Sequence, residues 1–147
     1  MLAIGCDHGG VALKNQVLQW LRDNNIEYKD FGTNTEESIN YAPIAVKVAR
    51  SITSGECDRG ILICGTGIGM SLAANKVKGI RAAVCSNSFE ARYTRLHNDA
   101  NILCLGARVI GLGVAIDLIY TFLNTHFEGG RHQERIDEIA KIENGEM

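Results

Sequence analysis

Five short apolar runs alternate along this chain with longer amphipathic segments. The runs have the length of buried strands, whereas the segments between them repeat apolar residues every three or four positions. The predicted strands are residues 1–6, 27–31, 60–64, 81–85 and 101–105. The predicted helices are residues 10–24, 43–54, 69–76, 88–96, 112–127 and 131–144. This alternation predicts an α/β fold: a three-layer, doubly wound (Rossmann-like) sheet of five parallel strands with an extra C-terminal helix.

Length and composition predict a single domain over residues 1–147. A chain of 147 residues has the size of one ordinary domain, and 46% hydrophobic with 22% charged residues is typical of a globular protein. The last predicted helix has only a thin apolar stripe, which includes Ile136, Ile139 and Ile142. We therefore expect this helix, residues 131–144, to pack on a second subunit.

Composition argues against several classes of function. The net charge is -2 without a basic stripe, and aromatic residues make up only 6%, so nucleic acid is not an expected partner. No run approaches 18 apolar residues and no basic segment precedes the first apolar run, so we expect no membrane partner and a cytoplasmic location. The five cysteines contain no C-x-x-C pair, which argues against a zinc knuckle or a thioredoxin-type motif.

A glycine-rich turn, residues 65–69, directly follows the third predicted strand and opens a helix. Its backbone N–H groups are unshielded and form a potential anion site, and Cys64 at the strand end provides a candidate base or nucleophile in the same field. The turn departs from a dinucleotide fingerprint because Met70 stands where a third glycine is needed and residues 85–87 contain no acidic residue. A tight turn of purely structural origin remains an alternative, and a small anionic ligand is favoured.

Two further polar positions also have both a structural and a functional interpretation. Asp7, followed by His8 at the start of the first helix, is either a helix cap or a ligand-binding residue. His97, at the end of the fourth helix, is either a cation placed at a helix C-terminus or a proton donor and acceptor.

The last predicted helix carries two arginines, Arg131 and Arg135, on one face because they are four residues apart. Their simplest interpretation is a solvated surface pair that includes a salt bridge to Glu134. Together with Arg108 and His8 they would instead form a phosphate clamp.

These segments, taken in order, resemble the ribose-5-phosphate isomerase B family, which also holds allose-6-phosphate and galactose-6-phosphate isomerases. The resemblance covers nearly the whole chain. The matching segments are residues 5–10, 60–69, 73–76, 79–82, 97–99, 106–109 and 128–132.

The resemblance implies a homodimer with active sites at the subunit interface, and a small-molecule sugar phosphate as substrate. The reaction would interconvert ribose 5-phosphate and ribulose 5-phosphate, in the pentose phosphate pathway, without metal or other cofactor. Cys64 would move the proton between C1 and C2, His97 would open the furanose ring, and Thr66 would join them as a catalytic residue. The other residues that the resemblance implies would bind substrate hydroxyls, the enediolate or the phosphate: Asp7, His8, Tyr41, Gly65, Gly67, Ile68, Gly69, Ser71, Asn98, Arg108, Arg131 and Arg135.

The sequence departs from the family pattern at Tyr41, because the family's Asp-Tyr-Pro reads Asn40-Tyr41-Ala42 here, with Pro43 one place later. Two other functions stay open at this point. One is isomerisation of six-carbon sugar phosphates or of unphosphorylated rare sugars. The other is a non-catalytic nucleotide-binding module that uses the glycine turn. A tetramer of paired dimers also remains possible.

Overall fold

A computed structural model describes residues 1–147 and contains one five-stranded sheet in which every pair of neighbouring strands is parallel. The spatial order of the strands is β2-β1-β3-β5-β4. The strands are β1 (Leu2–Cys6), β2 (Tyr28–Asp30), β3 (Arg59–Cys64), β4 (Ala82–Val84) and β5 (Ile102–Gly106). The helices are α1 (Val11–Asp23), α2 (Tyr41–Thr53), α3 (Ile68–Ala74), α4 (Ser88–Asn98), α5 (Leu112–Asn124) and α6 (Arg131–Glu143). No helix is both long and apolar enough to span a bilayer.

Two hydrophobic layers cover the two faces of this sheet, because alternate residues of a strand point to opposite faces. On one face Ile61 and Ile63 pack with the buried sides of α1 and α5. On the other face Leu62 and Cys64 pack with α2 and α3. The predicted three-layer, doubly wound fold is therefore confirmed.

Each crossover helix brings the chain back across the sheet, because consecutive parallel strands must both begin at the same edge. Residues that follow a strand therefore lie at the carboxyl edge of the sheet. Residues at the end of a helix lie at the amino edge. This separation decides which of the predicted site residues can meet within one chain.

Several predicted boundaries were wrong by one to three residues. Helix α4 runs to Asn98 rather than residue 96, because Asp99 takes the left-handed conformation (φ 46°) and donates its N–H to Thr94 O. Helix α5 ends at Asn124 rather than residue 127, since Thr125 is already extended. Strands β2 and β4 have three residues each, two fewer than predicted.

Helix α6 packs partly on its own chain. His132 and Ile136 are its buried residues, and the helix contacts α4. Ile139 and Ile142 remain exposed, at 44% and 59%. The C-terminal helix thus has an internal contact through its first turns, and its later apolar residues are the part that a second subunit would cover.

Candidate active site

The glycine turn after β3 folds back onto the thiol of Cys64. The backbone N–H of Gly67 donates to Cys64 Sγ at 3.1 Å, and the N–H of Ile68 donates to Thr66 Oγ1 at 3.2 Å. Gly67 has a φ of 81°, which L side chains rarely adopt, so glycine is required to place this N–H. This hydrogen bond holds the Cys64 sulfur against the backbone of the turn.

Three other N–H groups of the turn, those of Gly65, Thr66 and Gly69, have no hydrogen-bond partner within the chain. The Thr66 hydroxyl accepts the Ile68 N–H and keeps its own proton available. The Ser71 hydroxyl, in contrast, donates to Ile68 O within α3 at 2.8 Å. The turn therefore presents several free donors to an anion or oxyanion next to a thiol.

Neighbouring segments approach the turn closely at two more glycines, and at Gly106 the neighbour is backbone, so a side chain there would clash. A Cβ on Gly106, at the end of β5, would stand 2.8 Å from the backbone of Thr66. A Cβ on Gly69 would stand 2.7 Å from the ring of Tyr41. Tyr41 therefore covers the glycine turn from the first turn of α2, even though the proline follows one place later than in the family pattern.

The Asp7-His8 turn lies beside the glycine turn at the same edge. Asp7 is 8% exposed, and its Oδ1 accepts the N–H of Gly9 at 2.9 Å, so the capping interaction that was one of its two interpretations is present. His8 Nδ1 accepts the N–H of Ile39 at 3.2 Å. Neutral His8 consequently carries its proton on Nε2, which makes that atom a hydrogen-bond donor.

Arg108 completes the carboxyl-edge group. Its N–H donates to Gly65 O at 3.0 Å, and its guanidinium lies 3.4 Å from where a Cβ of Gly65 would stand. Arg108 is exposed and forms no ion pair. A guanidinium without a carboxylate partner is available to an anionic ligand. We define the carboxyl-edge cluster as Asp7, His8, Tyr41, Cys64, residues 65–69 and Arg108.

His97 and Asn98 lie at the other edge of the sheet, in the last turn of α4. The next residue, Asp99, holds this turn, since its carboxylate accepts from Arg81 at 3.3 Å and from Arg95 at 2.8 Å. Asp99 thereby ties the C-terminal end of α4 to Arg81, which directly precedes β4. His97 therefore lies at the C-terminal end of α4, as both of its interpretations require, and forms no side-chain hydrogen bond there.

The ring of His97 stacks on that of His132, with centroids 4.0 Å apart and planes at 12°. Tyr93 packs its ring edge to face against His97 at 5.0 Å. Burial and the neighbouring His97 lower the pKa of His132, against the opposing effect of Glu128. His132 was not among the predicted site residues, and only its position within the matching segment 128–132 pointed to it.

Arg131 and Arg135 are exposed in the first turns of α6, where Arg135 donates to Arg131 O at 3.2 Å. Neither guanidinium forms an ion pair, so the alternative salt bridge to Glu134 is absent. We define the amino-edge cluster as His97, Asn98, Arg131, His132 and Arg135.

The predicted site residues therefore form two clusters rather than one, except for Ser71, whose hydroxyl is used within α3 and which belongs to neither. Strand β5, which lies between β3 and β4, has five residues and spans about 16 Å at roughly 3.3 Å per residue. Cys64 at the carboxyl edge and His97 at the amino edge stand apart by at least that order of distance. No hydrogen bond or ring contact joins the two clusters within the chain.

Comparisons with known proteins indicate the same family over nearly the whole chain. The family model for Ribose/Galactose Isomerase matches residues 2–139. Ribose-5-phosphate isomerase B of Escherichia coli is 46% identical over 142 residues, which cover 97% of this chain and 95% of that protein. D-erythrulose-4-phosphate isomerase of Pectobacterium atrosepticum is 40% identical over 146 residues, which cover 99% and 96%. A solved structure of Clostridium thermocellum ribose-5-phosphate isomerase B has a TM-score of 0.97 and 53% identity, with 99% of each chain covered.

Proposed function

Because this chain belongs to the ribose/galactose isomerase family of enzymes, we propose that it interconverts D-ribose 5-phosphate and D-ribulose 5-phosphate through a cis-enediolate. The resemblance inferred from the motifs is thereby confirmed at the level of the family and of an isomerase, and the substrate is the proposed part. One observation carries the proposal: the thiol of Cys64 and three unpaired N–H groups share a single turn.

The chemistry of such an isomerisation needs a base and an oxyanion site next to each other. The Cys64 thiolate removes the proton from C2 of the open-chain aldose, and the electron pair moves to form the enediolate. The free N–H groups of Gly65, Thr66 and Gly69 stabilise the negative oxygen. The hydroxyl proton then moves from O2 to O1 and the thiol returns its proton to C1, which gives the ketose with its carbonyl at C2 and regenerates the thiolate.

The remainder of the carboxyl-edge cluster supports binding of the substrate. The proton on His8 Nε2 and the guanidinium of Arg108 are donors for phosphate oxygens. Asp7 and Tyr41 flank the turn and supply groups for sugar hydroxyls. Holding the phosphate away from the reacting carbons orients C1 and C2 toward the thiol.

A second copy of the chain supplies the amino-edge cluster in this proposal. His97 opens the furanose ring by exchanging protons with the ring oxygen and the anomeric hydroxyl, and Asn98 binds the sugar. Arg131 and Arg135 add positive charge for the phosphate. The separation of the two clusters within one chain supports a homodimer whose sites each combine the carboxyl edge of one copy with the amino edge of its partner.

Turnover of ribose 5-phosphate by the pure protein, with chelator and no added cofactor, tests the reaction. Cys64→Ala is expected to lose turnover by at least about a hundredfold while it still binds substrate, because a proton-transfer group contributes that order. Cys57→Ala is the matched control, since this buried cysteine lies outside both clusters. Near-normal turnover by Cys64→Ala would contradict the assignment of the base.

Mixing two inactive variants tests the shared site. A heterodimer of Cys64→Ala and His97→Asn chains has one intact site if each site combines two copies, so a random mixture recovers about a quarter of wild-type turnover. If each site lay within a single chain, every site in the mixture would lack one residue and no activity would return. The chains must be mixed unfolded and refolded together, so that subunits exchange.

A different sugar phosphate is the second candidate substrate, because a relative of 40% identity is a D-erythrulose-4-phosphate isomerase. Turnover of D-erythrulose 4-phosphate or allose 6-phosphate in place of ribose 5-phosphate would keep the mechanism and change the substrate. Stabilisation by a nicotinamide or adenine nucleotide, with no turnover of any sugar phosphate, would instead favour the binding-module alternative. The cytoplasmic location remains a prediction that cell fractionation tests.

A further inference from the structure

Three side chains with metal-binding atoms converge at the amino edge of the sheet. They are His97 at the end of α4, Glu128 in the loop after α5, and His132 in the first turn of α6. Their ligand atoms all lie within 4.8 Å of one another, and no other group of three such side chains in the chain does so. We call these three residues the His-Glu-His triad.

Two of the three ligands already have the spacing of a coordinated pair. His132 Nε2 and Glu128 Oε2 lie 3.4 Å apart. Two ligands about 2.1 Å from a tetrahedral zinc ion lie about 3.4 Å apart. The backbone holds Glu128 in place, because its N–H donates to Leu96 O at 3.1 Å, one residue before His97.

His97 is the ligand that must move. Its ring is parallel to that of His132, and parallel stacked rings cannot both direct a nitrogen at one ion. His97 is only partly buried, and no side-chain hydrogen bond fixes its ring. Rotation about its side-chain torsions therefore breaks no hydrogen bond, although it disrupts the ring contacts with His132 and Tyr93.

The donor set selects the kind of metal. Two imidazoles and one carboxylate suit a borderline ion such as Zn²⁺, whereas Mg²⁺ and Ca²⁺ require mainly oxygen ligands. Three protein ligands leave a fourth position for water. The exposed Arg131 and Arg135 disfavour a cation in this region, and Glu128 supplies the negative charge that offsets them. We therefore expect the Glu128 carboxylate to be essential for metal binding.

We propose that the His-Glu-His triad binds Zn²⁺ and that the bound ion inhibits the enzyme. Coordination uses the imidazole of His97, which then cannot exchange protons with the sugar ring. The inhibition rests on the proposed function of His97, whereas the binding of zinc does not. Zinc is an inhibitor in this proposal and takes no part in turnover.

Direct zinc binding is measured first, by competition with a chromophoric chelator in the absence of substrate. Wild-type protein is expected to bind one Zn²⁺ per chain, and Glu128→Gln to bind it at least about tenfold more weakly. His126→Gln is the control, since this exposed histidine lies outside the triad. Cys64→Ala must bind zinc like the wild type. Equal affinity in wild type and Glu128→Gln, or loss of binding in Cys64→Ala, would overturn the proposal.

Inhibition is then measured with ribose 5-phosphate as substrate. Zinc should suppress wild-type turnover, a chelator should restore it, and Glu128→Gln should need at least about tenfold more zinc for the same inhibition. Equal inhibition of wild type and Glu128→Gln would overturn the inhibitory role and point to the thiol of Cys64. If zinc binds through the triad but no sugar phosphate is turned over, the metal site stands and the proposed function fails.

Discussion

Lys14 carries a charge inside the protein, and its replacement by methionine is expected to destabilise the fold strongly. The side chain is fully buried on α1. Its Nζ donates to both carboxylate oxygens of Asp30 at 2.8 and 2.9 Å, to Thr33 O at 2.7 Å and to Asn34 Oδ1 at 2.8 Å. These bonds fix the loop after β2, which continues to Ile39 and its hydrogen bond with His8.

The size of the destabilisation depends on the Asp30 carboxylate, which loses its lysine partner in the variant. Removing one partner of a buried ion pair costs about 3–5 kcal/mol. Asp30 retains 22% exposure of its side chain and still accepts the N–H of Gly32 at 2.8 Å, so the lower end of that range applies. Methionine occupies most of the space of the lysine side chain, which keeps any cavity small. We therefore expect a loss of about 3 kcal/mol in the free energy of unfolding.

Urea denaturation at pH 7 measures this loss, with the slope expected to stay constant because the surface exposed on unfolding hardly changes. Lys47→Met is the matched control, since Lys47 is exposed on α2 and should change the free energy by no more than about 0.5 kcal/mol. A loss below about 1 kcal/mol for Lys14→Met would refute the reasoning that the buried ammonium holds this loop.

Two further predictions concern the glycine turn and the buried thiols. Gly67→Ala should destabilise the protein by at least about 2 kcal/mol, because it adds a positive-φ penalty to a Cβ only 3.0 Å from the backbone of Leu105. Gly55→Ala has a similar φ with nothing within 4 Å, so equal urea midpoints for the two variants would argue against the close approach. Burial raises the pKa of Cys85 to about 12 and that of Cys6 to about 11, both above the ordinary value of 9.0. The folded state thus favours the neutral thiols, which adds to the free energy of unfolding. This addition is complete below pH 9 and is lost as the pH rises through the raised pKa values. Cys85→Ala should flatten the fall in unfolding free energy above pH 9, and an unchanged slope would count against this cause.

The periodic pattern of the sequence was sufficient to predict the strands and helices and to indicate the buried face of α1. The apolar residues that recur along one face of that helix are all buried: Val11, Leu13, Val17, Leu18 and Leu21. Lys14 on the same helix is buried too, and no periodicity indicates it, because its burial depends on Asp30 and the following loop. The ends of β4 and α5 were placed less well, since capping and edge pairing decide them.

The candidate site also combines features that the sequence indicated with features that it did not. The placement of the Cys64 thiol beside backbone N–H groups could be inferred from the sequence because all of these groups belong to one turn. The contact of Tyr41 with Gly69 and the stacking of His97 on His132 could not be inferred, since each pair is distant along the chain. Such contacts depend on how two elements pack.

The sequence by itself determined the order of strands and helices along the chain, the parallel sheet and the glycine turn at the end of β3, because each depends on local periodicity and short-range geometry. Only the tertiary structure decided that His97 and Cys64 lie at opposite edges of the sheet. The reason is that a helix crossing back over a parallel sheet places its last turn at the amino edge, about a full strand length from the turn that follows β3. That separation supports a site shared between two copies, and the same packing brings His97, Glu128 and His132 together.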